Sequence, residues 1–177
     1  MNFLVVIVSY LLGSINFAYI TARIKGIDIS SEGSGNPGTS NVLRTLGKGS
    51  AAIVLLGDLL KGAIPIIFFY QDQYFLVYGL AAVVGHIYPV FYKFKGGKGV
   101  ATYLGVYVAT VLMNPYNSDL FNIEIFQIIN IPVLAFFYFV VFKTTRVSAI
   151  ASLATVLVTV SLLIYINNEI SNVVVLV

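Results

Sequence analysis

The sequence predicts an all-α, polytopic bundle of membrane-spanning helices, on three observations. Of 177 residues, 59% are hydrophobic and 10% are charged, against about 25% charged in a soluble domain. Apolar runs near 20 residues recur, the length a helix needs to cross roughly 30 Å of hydrocarbon. Nine of the ten Lys and Arg residues fall in just three of the segments between those runs. The runs fill one integral membrane domain, 1–177, and leave no room for a soluble one.

Taken in order, the first span is Asn2–Arg23. It has no basic leader, and Arg23 and Lys25 follow its apolar stretch, so it reads as a retained helix rather than a signal peptide. The others expected are Ser50–Tyr70, Tyr74–Tyr92, Val100–Met113, Ile125–Phe142 and Val147–Ile166, six in all. A seventh apolar run, "ISNVVVLV", covers Ile170–Val177. It is too short to cross a bilayer as a helix. The expectation is a chain truncated inside its last helix; the alternative is a tail lying at the interface.

The basic loops set the expected orientation. Arg23, Lys25, Arg44 and Lys48 lie between spans one and two, Lys93, Lys95 and Lys98 between three and four, and Lys143 and Arg146 between five and six. The remaining loops carry no Lys or Arg. The positive-inside rule then puts the basic loops in the cytoplasm and the N-terminus outside. The formal net charge of +3 follows from those loops and does not point to nucleic acid.

Composition also excludes chemistry. There is no cysteine and a single histidine, which rules out disulfides, thiolate nucleophiles and Cys- or multi-His-ligated metal. No metal and no cofactor is expected.

Two glycine-rich segments stand on the basic side. In "GSGNPGTSNVLRTLGKG", Gly33–Gly49, the glycines let backbone N–H groups converge on an anion, Ser34, Thr39 and Ser40 add hydroxyls, and Arg44 offers a planar fork. By composition alone a flexible turn is the favoured reading, and the segment lacks Walker A spacing. In "GHIYPVFYKFKGGKGVATYLG", Gly85–Gly105, a Gly-Gly-Lys-Gly turn (Gly96, Gly97, Lys98, Gly99) sits at the mouth of span four beside Lys93 and Lys95. Free N–H groups, a lysine and a helix N-terminus together favour a phosphate. Topological anchoring explains the lysines but not three glycines around one of them.

His86, near the end of span three, is a candidate general base or a cross-helix hydrogen bonder. It is not part of a His-x4-Asp motif, since position 91 is Phe. Asp58 and Lys61 lie three apart on one face of span two and are expected to pair and to support the polar loops. In "FKTTRVSAIAS", Arg146 and Ser148 open span six, where Ser148 can bind an anion or cap the helix.

With these segments in hand, "GSI" at 13–15, "GSGNPGTSNVLRTLGK" at 33–48, "DLLKG" at 58–62 and "GHIYPVFYKFKGGKGVAT" at 85–102 resemble the bacterial acyl phosphate:glycerol-3-phosphate acyltransferases of the PlsY type. The likeness runs in order along nearly the whole chain. It implies a seven-helix inner-membrane enzyme whose site faces the cytoplasm. That enzyme would move an acyl chain from acyl phosphate to the 1-hydroxyl of glycerol 3-phosphate, giving lysophosphatidic acid and phosphate. By resemblance, Ser34, Gly35, Asn36, Gly38, Asn41 and Arg44 belong to the catalytic motif, and Gly96, Gly97, Lys98 and Gly99 hold the glycerol phosphate. The chain departs from the family pattern at Pro37, at Thr39–Ser40 and at Val147–Ser148, and the family's closing His-x-x-Asn-Ile motif does not occur before Val177.

The expected set is therefore Ser34, Asn36, Asn41, Arg44 and His86 at the chemistry. Gly35, Gly38, Thr39, Ser40, Lys93, Gly96, Gly97, Lys98, Gly99 and Ser148 would bind phosphate, with Asp58, Lys61 and Arg146 in support. The protein is expected to be a monomer or weak oligomer in contact with membrane lipid, supplied by an enzyme that forms acyl phosphate. An anion or phosphate-ester transporter, or a non-catalytic membrane subunit, is the alternative.

Overall fold

The computed structural model of the chain describes residues 1–113, 121–145, 150–151 and 154–158, and every regular element among them is helical. The elements are α1 (Phe3–Ser14), α2 (Phe17–Ile24), α3 (Thr39–Phe69), α4 (Phe75–Ile87), a short 3₁₀ turn (Val90–Tyr92), α5 (Val100–Met113) and α6 (Phe121–Thr145). They divide into two compact units, Met1–Leu120 and Phe121–Val177. By length and composition three helical stretches of the described residues can cross a membrane: Phe3–Ile24, Thr39–Phe69 and Phe75–Tyr92.

The first expected span is two helices rather than one. Ile15 and Asn16 take extended backbone angles between α1 and α2. Asn16 caps the second helix, its Oδ1 accepting from the amides of Ala18 and Tyr19 at 3.0 and 3.1 Å. That bond competes with continuing the first helix, and hydropathy does not register it.

The second span begins earlier than expected. Helical structure starts at Thr39 and is broken at Gly47, whose φ of 84° lies in the left-handed region that glycine tolerates. The third span ends at Ile87, because Pro89 cannot supply a helical N–H and the chain turns through the 3₁₀ segment instead. The fourth matches, Val100–Met113. The expected fifth span lies within α6, which continues through Pro132. The expected sixth lies largely, and the run 170–177 wholly, outside the described residues.

Within the first unit the helices are built inside out relative to a soluble bundle. Along α3, Gly57, Asp58, Lys61, Gly62 and Pro65 are buried, while Ile53, Leu56, Leu60 and Ile67 are exposed. Lipid solvates large apolar side chains, so small residues that allow close backbone approach line the helix contacts. A Cβ on Gly62 would overlap the Thr102 carbonyl, and one on Gly105 the Leu59 carbonyl, which draws α3 onto α5. Gly13 against Ala82 and Gly85 against the Tyr10 carbonyl do the same for α1 and α4. These last two run in the same direction, tied by Asn2 N–H to Tyr78 Oη at 3.1 Å and by Tyr10 Oη–H to the Tyr88 carbonyl at 2.7 Å.

Candidate active site

The first glycine-rich segment is a folded loop rather than a flexible linker. Asn41, buried on the first turn of α3, holds it from inside. Its Oδ1 accepts from the Ser34 amide at 2.9 Å, and its Nδ2 donates to the Glu32 carbonyl at 2.9 Å. Gly33 and Gly35 have positive φ, so the chain can curl over that side chain. Arg44, one turn further on, reaches back with Nη2 to 3.4 Å from Ser34 Oγ.

Gly38 precedes α3 with no side-chain cap, leaving first-turn N–H groups available to an anion. The Thr39 hydroxyl is buried there without a hydrogen-bond partner. Asn36 and Ser40 flank this turn, half-buried and exposed respectively.

The second segment folds back on the end of α4. Gly97 N–H donates to the His86 carbonyl at 3.2 Å. A Cβ on Gly96 would overlap the carbonyls of His86 and Ile87, and one on Gly97 would overlap His86 Nε2. Only glycine fits this close approach. Lys93 and Phe94 hold left-handed backbone angles, fixed by amides of Phe94 and Lys95 donating to Pro89 and Tyr92 carbonyls at 3.0 Å each. Lys93 and Lys98 are exposed, and Gly99, with φ of 77°, leads into α5.

The two segments meet. A Cβ on Gly97 would stand 3.1 Å from the Pro37 carbonyl, and that carbonyl also accepts from Asn16 Nδ2 at 3.4 Å. Segments some sixty residues apart therefore share one place. Asn16 joins the site without belonging to either glycine-rich segment. The signal available was an asparagine interrupting an apolar run just before a second helical stretch.

Asp58 and Lys61 pair as expected, Nζ to Oδ1 at 2.9 Å. Lys61 also donates to the Ile15 carbonyl at 2.6 Å, and the same Asp58 oxygen lies 3.4 Å from His86 Nδ1. His86 is 4% exposed. Arg146 and Ser148 lie outside the described residues. No group of three metal-ligating side chains occurs among the described residues. An apolar cavity of about 500 Å³ opens beside α2, lined by Tyr19, Arg23, Ile24 and Asp28 among others, with Tyr92 bringing the second segment to its wall.

Fold and site together define an all-helical protein with stretches long and apolar enough to cross a membrane, in which two glycine-rich loops meet. The family model for glycerol-3-phosphate acyltransferase matches residues 3–177, and the chain belongs to that family. A Bacillus cereus protein named glycerol-3-phosphate acyltransferase 2 is 44% identical over 164 residues, covering 90% of this chain and 74% of its own. An Aquifex aeolicus glycerol-3-phosphate acyltransferase is 52% identical over 109 residues, covering 59% of this chain and 57% of its own. The fold is similar to the crystal structure of PlsY, an integral membrane glycerol 3-phosphate acyltransferase, in its glycerol 3-phosphate form. There the TM-score is 0.74 at 36% identity, over 93% of this chain and 76% of that one. The lysophosphatidic acid form gives 0.71 at 38% identity, over 92% and 76%.

Proposed function

We propose that the protein transfers an acyl chain from acyl phosphate to the 1-hydroxyl of glycerol 3-phosphate. The observation that carries this is the convergence of the two glycine-rich segments at Pro37 and Gly97, with Arg44, Lys93 and Lys98 around them. Two anionic substrates need two cradles side by side. The names of the relatives supply the acceptor; the acyl phosphate donor is what the resemblance to the PlsY type implies.

Acyl phosphate is already an activated anhydride. The 1-hydroxyl oxygen attacks the carbonyl carbon, the bond from that carbon to the bridging phosphate oxygen breaks, and phosphate leaves with the electron pair. A phosphate oxygen takes the hydroxyl proton, so no acyl-enzyme forms. What remains for the protein is positioning and charge stabilisation. Arg44, the Ser34 hydroxyl and the free donors at the start of α3 face the departing phosphate and the carbonyl oxygen. Asn41 holds that loop in shape, and Gly35, Asn36, Gly38, Thr39 and Ser40 line it. Gly96–Gly99 with Lys98 and Lys93 hold the glycerol phosphate. The acyl tail stays in lipid, where its burial is worth about 0.8 kcal/mol per methylene.

The same reading puts this face in the cytoplasm of a bacterial inner membrane, with the N-terminus outside and six spans preceding a seventh. The protein would work as a monomer or weak oligomer supplied by an acyl-phosphate-forming enzyme. Purified protein in detergent, given acyl phosphate and labelled glycerol 3-phosphate, should make labelled lysolipid. Lys98→Ala should raise KM for glycerol 3-phosphate more than for acyl phosphate, by about tenfold. Equal changes in both would remove the assignment of the second segment. Uptake into sealed vesicles with no new lipid would identify a transporter.

A further inference from the structure

Asp58, Lys61 and His86 form a cluster that the chemistry above does not use. They are 2%, 1% and 4% exposed. Lys61 joins Asp58 at 2.9 Å to the Ile15 carbonyl at 2.6 Å, and so secures the break between α1 and α2. It also lies 6.0 Å from the Phe17 ring centroid. Asp58 faces His86 Nδ1 at 3.4 Å. The backbone carbonyl of His86 accepts the Gly97 amide, and its ring Nε2 occupies the space a Cβ on Gly97 would need. Gly97 abuts the Pro37 carbonyl, which Asn16, the neighbour of Ile15, holds through Nδ2. The contacts close a ring through both glycine-rich segments and back to the helix break.

A buried ion pair is a weak source of net stability, because desolvation offsets most of its attraction. What it supplies here is fixed geometry. His86 Nδ1 stands 3.4 Å from the Asp58 carboxylate, and the other edge of the ring fills the space beside Gly97.

We propose that Asp58, Lys61 and His86 are positioning residues that hold Gly96–Gly99 in register against Gly35–Gly38, with His86 as the spacer between the Asp58 carboxylate and Gly97. The proposal rests on the acyl-transfer reading. It assigns His86 to acceptor binding through Gly97, not to proton transfer.

The test uses wild type, His86→Ala, His86→Asn, Gly97→Ala and the His86→Ala/Gly97→Ala double variant, purified in detergent. Steady-state rates are measured with each substrate varied, and glycerol 3-phosphate binding by calorimetry. Asparagine keeps an N–H donor near the Nδ1 position but cannot accept a proton near neutral pH. His86→Ala should raise KM and Kd for glycerol 3-phosphate about tenfold, with a smaller change in kcat, and His86→Asn should bring both back to within about threefold of wild type.

Gly97→Ala should weaken binding less in the His86→Ala background than in wild type, because the added methyl no longer meets the ring. Loss of kcat in His86→Asn with binding intact would overturn the proposal in favour of proton transfer. Additive effects of the two alanine changes would overturn the spacer role. A wild type that binds glycerol 3-phosphate but yields no lysolipid defeats the acyl-transfer reading alone, and the binding series then decides the positioning role. If His86→Ala is not monodisperse, His86→Asn decides: near-wild-type binding and rate support the proposal, and lost rate with retained binding overturns it.

Discussion

The molecule carries two sets of charges that differ in surroundings more than in kind. Asp58 and Lys61 lie at the centre of the helix packing, paired with each other and tied to the Ile15 carbonyl and His86. Arg44, Lys93 and Lys98 lie exposed around the glycine-rich segments, and none of them enters an ion pair among the described residues. In a membrane protein, buried charge is the usual first candidate for function. Here the buried set lies enclosed among protein groups, which fix its geometry from inside the bundle. The exposed set keeps its donors for something that arrives from outside.

The largest effect should come from unbalancing the inner set. Lys61→Met leaves a carboxylate buried without its ammonium, and removing one partner of a buried pair costs about 3–5 kcal/mol. The Asp58→Asn/Lys61→Met double variant should recover a large part of that, since no net charge is then left without a partner. Unfolding in detergent followed by circular dichroism measures both. If the single and double variants melt alike, the pair is not what holds this region.

The outer set should behave in the opposite way. Arg44→Ala removes an exposed side chain that approaches Ser34 Oγ at 3.4 Å, so stability should move by no more than about 0.5 kcal/mol. Turnover should fall about 100-fold, the scale of losing one donor to developing charge. A fall in stability matching the fall in rate would place Arg44 with the inner set instead.

Much of this contrast was legible in the chain. The i,i+3 spacing of Asp58 and Lys61 required a shared face, and the Gly-Gly-Lys-Gly turn marked the start of α5 at Val100. Both are local properties. The meeting of Pro37 with Gly97 was not legible, because hydropathy carries no register between helices and the two positions are far apart in sequence. The break at Ile15–Asn16 was hidden for a different reason. It lies within a run that is apolar enough to read as one helix, and a single capping side chain decides it. The ring of His86 belongs to the same class: sequence placed it in a span, and only the packing shows that it lies between Asp58 and Gly97.

The smallest effect sharpens the comparison with a carboxylate that is partnered but not buried among helices. Asp72 accepts from the Tyr78 hydroxyl at 2.6 Å and from the Tyr74 amide at 2.9 Å. These bonds favour the ionised form, the Tyr78 hydroxyl most, and hold the Asp72 carboxyl below its usual range. A folded-state pKa lowered from the unfolded value of about 3.9 stabilises the protein fully above that value. The contribution is lost as pH falls through the folded-state pKa. Wild type should therefore melt slightly above Asp72→Ala at neutral pH, with the gap narrowing as pH drops below about 4. Solvent screens this group, so the gap should stay well under the loss from Lys61→Met. A gap that is large, or that widens in acid, would mean that burial is not what separates the two carboxylates.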